Sequence, residues 1–223
     1  MKKINFIIAA VLAVSALVFW GCSKSSSSDV LSPDEELTEK SDIAKILYLL
    51  EHEGITTAED GSNYLFNMCG SVIPMTRGDA GYGFEDCCYE NISMEAAIIL
   101  SNFQKVVILE DDTEEVVKER FYSILDEGGL DKYSEEYVII KEAIDTSFDI
   151  FEYLIDSQPA TRSQFWQVVG AIARCVGGTV GSAGLGALAG AGAGTVTLPV
   201  IGTVSGTALG AVCGGLVGAA TFC

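Results

Sequence analysis

The sequence predicts a mainly α fold: a small irregular helical bundle followed by a C-terminal helical hairpin. Three observations predict it. Between residues 32 and 160 apolar residues recur at helical spacing, bounded by caps and breakers, and no convincing alternating apolar pattern occurs. No charged residue follows Arg174. Within that uncharged tail, small residues repeat every four positions in two ladders. Gly178, Ser182, Gly186, Gly190 and Gly194 form the first, and Gly202, Gly206, Gly210, Gly214 and Gly218 the second.

Each element has its own local signal. Ser32-Pro33 followed by Asp34, Glu35 and Glu36 reads as a helix start, with a cap, proline at the first helical position and acids in the first turn. Ile43, Ile46, Leu47 and Leu50 then share a helical face, and Gly54 closes the segment. A second helix is expected from about Thr57 to Cys69, weakened by Gly61. Residues 70–92 read as irregular, broken by Pro74, Gly78, Gly81 and Gly83. Ser93 caps a helix expected to run through Ala96, Ala97, Leu100, Val107 and Leu109. Thr113 caps the next, with Val116, Val117, Phe121 and Leu125 inward and Gly128-Gly129 as the stop. Ser134 opens a helix with Val138, Ile144, Phe148, Phe151 and Ile155 available for one face, ended by Gln158-Pro159. Its apolar residues lie on more than one side, which places it centrally. Thr161 with Gln164 fits a capping box that opens the tail.

The tail has an unusual material. Glycine costs a water-exposed helix about 1 kcal/mol per residue relative to alanine, so an isolated soluble helix would not tolerate this density. Where two backbones must approach closely, the same glycines remove every projecting side chain from the contact. Residues 175–198 and 200–223 are each 24 residues without charge, and each is long enough to span the ~30 Å hydrocarbon core if wholly helical. Gly, Ala, Thr and Val dominate both, so each is only marginally hydrophobic for insertion. Thr195-Val196-Thr197-Leu198-Pro199 is where the chain should reverse. With one helix ending near Gly194 and the other starting near Ile201, an antiparallel pairing sets Cys175 opposite residue 220. That puts Cys223 within reach and Cys213 about 10.5 Å away along the helix. A Cys175–Cys223 disulfide is therefore expected, with Cys213 left as a thiol or paired elsewhere.

The other end carries an address. Lys2 and Lys3 precede an uncharged, mostly apolar run from Ile4 to Trp20, then Gly21-Cys22 and the linker Ser23-Lys24-Ser25-Ser26-Ser27-Ser28. This resembles a bacterial lipoprotein signal peptide, although Phe19 stands where such signals usually carry Leu. The resemblance implies removal of residues 1–21, lipidation of Cys22 and attachment to the cell envelope, with the outer membrane as the expected site. The organisation expected is then a linker at 22–31, an acidic helical domain at 32–160 and the hairpin at 161–223.

Charge divides the chain sharply. Residues 22–156 hold nine Lys or Arg and all 31 Asp and Glu, whereas residues 157–223 hold only Arg162 and Arg174. This argues against nucleic acid as a partner, since the acids leave no basic surface to neutralise phosphates. The acids either solvate the surface of a sticky protein or shield the apolar tail until a membrane is met. Seven cysteines less Cys22 leave an even number in a disulfide-permissive compartment, with Cys69, Cys87 and Cys88 either pinning the irregular loop or buried as thiols.

Chemistry is scarce. His52 is the one histidine, which argues against histidine triads and multi-histidine metal sites; between Glu51 and Glu53 it reads as a surface residue. Gly184-x-Gly186-x-x-Ala189 fits a dinucleotide fingerprint only formally, since no acidic residue follows for the ribose. The acids at 110–115 lack the alternation and central glycine of an EF-hand loop and read as a helix start. Arg77-Gly78-Asp79 is too short a match to carry recognition. No enzyme activity, metal or cofactor is expected. In composition and spacing the tail resembles the glycine-zipper bacteriocins and the glycine-zipper envelope lipoproteins. Those resemblances imply a lipid bilayer and self-association as partners, with an immunity or envelope protein as a further partner of unknown identity. They leave two readings: a bacteriocin-like membrane effector, or a structural or regulatory envelope lipoprotein.

Overall fold

Helix starts in this chain are set by hydroxyl caps, and the first described element shows how. A computed structural model of the chain describes residues 41–69, 76–78, 81–83, 92–109, 112–156 and 173–223. The expected signal peptide, Cys22, the linker, Cys87, Cys88 and the Thr161–Gln164 box lie outside them, as does residue 160, the expected domain boundary. Helix α1 (Asp42–His52) is capped by the Ser41 hydroxyl, which accepts from the Ala44 N–H. The helix carrying Ile46, Leu49 and Leu50 thus opens at Ser41, and the start expected at Ser32-Pro33 lies outside the described residues. It ends as Gly54 turns left-handed at φ 70°, where the Gly54 and Ile55 N–H groups bond the Glu51 and Leu50 carbonyls.

Helix α2 (Ala58–Cys69) follows. Two short strands, β1 (Thr76–Gly78) and β2 (Gly81–Gly83), then pair antiparallel inside the stretch expected to be irregular. Three residues per strand are too few to leave an alternating signature. Ser93 caps helix α3 (Met94–Phe103) through the Ala96 N–H, and the Glu136 carboxylate accepts from both the Ser93 N–H and hydroxyl.

Helix α3 is shorter than the sequence suggests. Beyond Phe103 the chain turns at Gln104–Lys105 and leaves the helix, with Val106 and Ile108 buried and Val107 and Leu109 exposed. A run of four apolar residues fits either period, and tertiary contacts decided between them. Arg120 bonds the Val107 carbonyl at 2.7 Å and grips Asp112, holding that carboxyl below its ordinary range.

Helix α4 (Glu114–Glu127) is capped by Thr113 and ends at Gly128, with Gly129 left-handed at φ 86°. Val117, Phe121 and Leu125 face the core, but Val116 is exposed, contrary to expectation. Helix α5 (Glu135–Asp156) opens with the Ser134 hydroxyl accepting from the Tyr137 N–H. Val138 is also exposed, while Ile144, Phe148, Phe151 and Ile155 are buried. Phe103, Phe121, Phe148 and Phe151 form a chain of edge-to-face contacts with centroids 5.2, 6.4 and 6.2 Å apart.

The tail forms helix α6 (Ala173–Ala191), strands β3 (Thr195–Leu198) and β4 (Gly202–Ser205), and helix α7 (Gly206–Phe222). Glu39–Cys223 is one compact unit. The α6–α7 hairpin packs against α5 along both its helices, α3 covers α6, and α2 with α1 covers α7. Helix α5 is central: one face joins the aromatic core, while Ile139 and Ala143 on another pack with Ala183, Ala187 and Ala211. The fold is mainly α with a C-terminal helical hairpin.

Candidate functional site

The hairpin is the feature around which the other elements are arranged. Where α6 meets α7, backbone faces backbone. A Cβ placed on Gly210 would lie 2.8 Å from the Gly186 carbonyl carbon, and one on Gly190 2.8 Å from that of Gly206. Gly186 opposes Gly210 and Gly214, Gly206 opposes Gly190, Gly214 opposes Ser182, and Gly218 opposes Thr179 and Ser182. These separations are closer than real Cβ atoms approach, so only glycine permits this contact. Gly178 differs slightly, since the Phe222 ring lies over it.

Two residues of the ladders do not join the interface. Gly194 and Gly202 sit outside the helices at φ 68° and 77°, with nothing within 4 Å of an added Cβ. They serve the turn, where left-handed backbone favours glycine. Four-residue spacing alone cannot separate a packing glycine from a turn glycine.

A second glycine face lies on α6, outside the two ladders. Gly177 and Gly181 on α6 pack against α3: an added Cβ would sit 3.1 Å from Gln104 Cα and 3.3 Å from the Leu100 carbonyl oxygen, respectively. Gly184 meets the Leu100 side chain, Gly215 the Ile150 side chain, and Gly61 on α2 the Leu216 side chain at 3.0 Å. The Gly177–Gly181 spacing was itself a visible signal. Glycine therefore lets α6 be approached closely on two sides. From Cys175 to Ala187 on α6, and from Ala208 to Ala219 on α7, every residue is buried.

Both ends of the hairpin are fastened. At one end β3 and β4 pair with Thr195 opposite Ser205 and Leu198 opposite Gly202. Between them Val200 is held at φ 70°, with the Ile201 N–H bonded to the Pro199 carbonyl at 2.8 Å. The Ser205 hydroxyl caps α7 through the Ala208 N–H, and the Gly206 N–H bonds the Gly194 carbonyl. At the other end Cys175 and Cys223 form a disulfide, with Cα atoms 4.6 Å apart. Cys213 is buried within α7.

One carboxylate ties the acidic helices to the turn. Asp42 accepts from the Ser205 N–H at 2.8 Å and from Lys45 at 3.3 Å. Partial burial pushes this carboxyl up, but the Ser205 N–H and the Lys45 ammonium outweigh it and leave it below its ordinary value of 3.8. A depressed folded-state pKa stabilises the fold fully above the unfolded value and loses that contribution as pH falls below it, through the folded value. Asp42→Asn should cost about 1 kcal/mol at neutral pH, after discounting for solvent around a partly exposed pair. Urea midpoints should show this difference at pH 7 and lose most of it at pH 3; a constant difference would assign the effect to packing.

The layer around the hairpin presents acids to water, among them Glu95, Glu115, Glu119, Glu127, Glu142 and Glu152. Desolvation holds Asp149 above its ordinary value; Lys118 partly offsets this, while Asp145, Glu152 and Glu114 add to it. His52 is exposed on α1 with its ring stacked on Tyr48. Arg77 lies in β1 opposite Tyr82, and Asp79 falls outside the described residues. Among the described residues no helix is long and apolar enough to cross a membrane. The uncharged stretches are divided by the ribbon, leaving helices of 19 and 17 residues, where a span needs about 20 predominantly apolar ones. The expectation that either stretch could span is corrected accordingly. No protein-family model, curated protein or solved structure matches the chain.

Proposed function

We propose that this chain is an exported lipoprotein of a bacterial envelope whose C-terminal hairpin is a membrane-active element, stored in an acidic helical sheath until it meets lipid. One observation carries the reading: a helical pair with no charge beyond Arg174, joined by a glycine contact face, is buried beneath helices that carry acids on their outer surface. The apolar outer faces, with Val176 and Val180 on α6 and Leu209, Val212 and Leu216 on α7, are covered by that sheath. Lipid would take the place of the sheath on those faces, while glycine contacts hold the helices together or join a second copy. At about 28 and 26 Å, the helices would need local bilayer thinning or assembly to insert. The Gly21-Cys22 junction and the likeness of the tail to glycine-zipper bacteriocins support export and antagonism. The completeness of hairpin packing within its own unit favours the second reading, a structural or regulatory envelope lipoprotein.

A peptide of residues 161–223 should bind liposomes, become helical and release trapped dye. Binding without release would favour the envelope role, and inertness in both assays would remove both readings. Replacing Gly206, Gly210 and Gly214 by Leu should raise partitioning and abolish release. For export, acyl label should appear on the wild type and vanish in Cys22→Ser; label persisting in that variant would overturn the lipid anchor.

A further inference from the structure

We infer that the Cys175–Cys223 disulfide is a reducible lock on the open end of the hairpin, and that a dithiol reductant unfastens α7 from α6 starting at its last turn. The inference rests on the membrane-active reading only for its consequence in lipid. The lock itself follows from the fold.

The two ends of the hairpin are closed by different means. The turn end is held by the β3–β4 ladder, the Gly206–Gly194 backbone bond and the Asp42 clasp, all of them non-covalent and mutually supporting. Among the described residues, the open end is held by one covalent link and by Phe222 lying over Gly178. Burial along α7 stops at Ala219: Ala220 and Thr221 are exposed, and the half-buried Phe222 lies over Gly178. A helix end with so few buried contacts frays unless something ties it down. Here that tie is the disulfide.

The two half-cystines differ in exposure. Cys175 is 1% exposed, whereas Cys223 is exposed, with the Thr179 hydroxyl 3.9 Å from its sulfur. The reductant therefore approaches from the Cys223 side. Its thiolate attacks Cys223 Sγ, the Cys223–Cys175 bond breaks, and the electron pair leaves on Cys175 Sγ, which takes up a proton. The second thiol of the reductant resolves the mixed disulfide. Cys223 departs as a thiolate and is protonated, the reductant is oxidised to its disulfide, and two electrons have entered the protein. Freed of the link, α7 unzips from Phe222 toward Gly218 and Gly214, exposing the glycine face one turn at a time.

The test uses the mature chain and its Cys175→Ser/Cys223→Ser variant, each with and without dithiothreitol. Hydrogen exchange over residues 214–222 and dye release from phosphatidylethanolamine–phosphatidylglycerol vesicles are followed together. Reduction should speed exchange in that segment of the wild type at least tenfold. The variant should exchange fast from the start and gain nothing there from the reductant, which separates this bond from other cysteines. Dye release should follow the same pattern. Unchanged exchange in a wild type shown by thiol counting to be reduced would overturn the lock. Faster exchange without dye release would uphold the lock and count against the membrane-active reading. Dye release that is already full from the oxidised wild type and unchanged on reduction would overturn the lock as a gate.

Discussion

A single methyl group at Gly210 should force α6 and α7 apart and cost the fold about 3 kcal/mol, at the upper end of overpacking penalties. The added carbon would meet the Gly186 carbonyl carbon at 2.8 Å and Gly190 Cα at 3.1 Å. Both neighbours are backbone, so no rotamer change relieves the contact. The helices must separate, and burial of the flanking Leu209 and Val212 is lost with it. For a domain of this size the midpoint of thermal unfolding should fall by roughly 6–12 °C. Gly192→Ala is the matched comparison. It lies one residue beyond α6 with ordinary backbone angles, and its Cβ would meet only the Ala189 carbonyl oxygen at 3.8 Å. That substitution should be neutral or stabilise by up to about 0.5 kcal/mol, through a smaller unfolded-state entropy. Urea melts of the two variants decide the matter. Equal midpoints would mean that the hairpin helices do not pack this closely in solution.

Removing the disulfide should be the costlier change. In Cys175→Ser/Cys223→Ser the unfolded chain regains the freedom of a loop with a sequence separation of 48, a loss of about 4 kcal/mol on the chain-entropy model. A domain of ordinary stability holds only about 5–15 kcal/mol in total, so the variant would stand near the limit of folding. Denaturant titrations without reductant should show the midpoint fall together with an increased dependence on denaturant, because the uncrosslinked unfolded state exposes more surface. A loss below about 1 kcal/mol would mean that structure persisting in the unfolded chain already holds these ends together.

The sequence by itself determined the helical class, the caps and the hairpin. Ser93, Thr113 and Ser134 cap helices because a hydroxyl reaches an N–H three residues on, an interaction wholly local to the chain. The reversal near Thr195–Pro199 was equally legible, since β-branched residues, a proline and flanking glycines break both helices at once. A partner for Cys175 follows from helix rise alone. What local chemistry could not supply was the partner of each face. Val116 and Val138 have the side chains of core residues and point to water, because an apolar residue is buried only where a neighbouring element covers it. Val106 to Leu109 bury alternate residues instead of continuing the helix, and Arg120, thirteen residues on, pins this loop through the Val107 carbonyl. Glycine was the hardest to read. Lacking a side chain, it does not show whether it serves the α7 contact, as Gly186 does, the α3 contact, as Gly177 does, or the left-handed turn, as Gly194 and Gly202 do. Only the tertiary structure assigned those roles, because each is defined by the backbone that approaches the glycine from elsewhere in the fold.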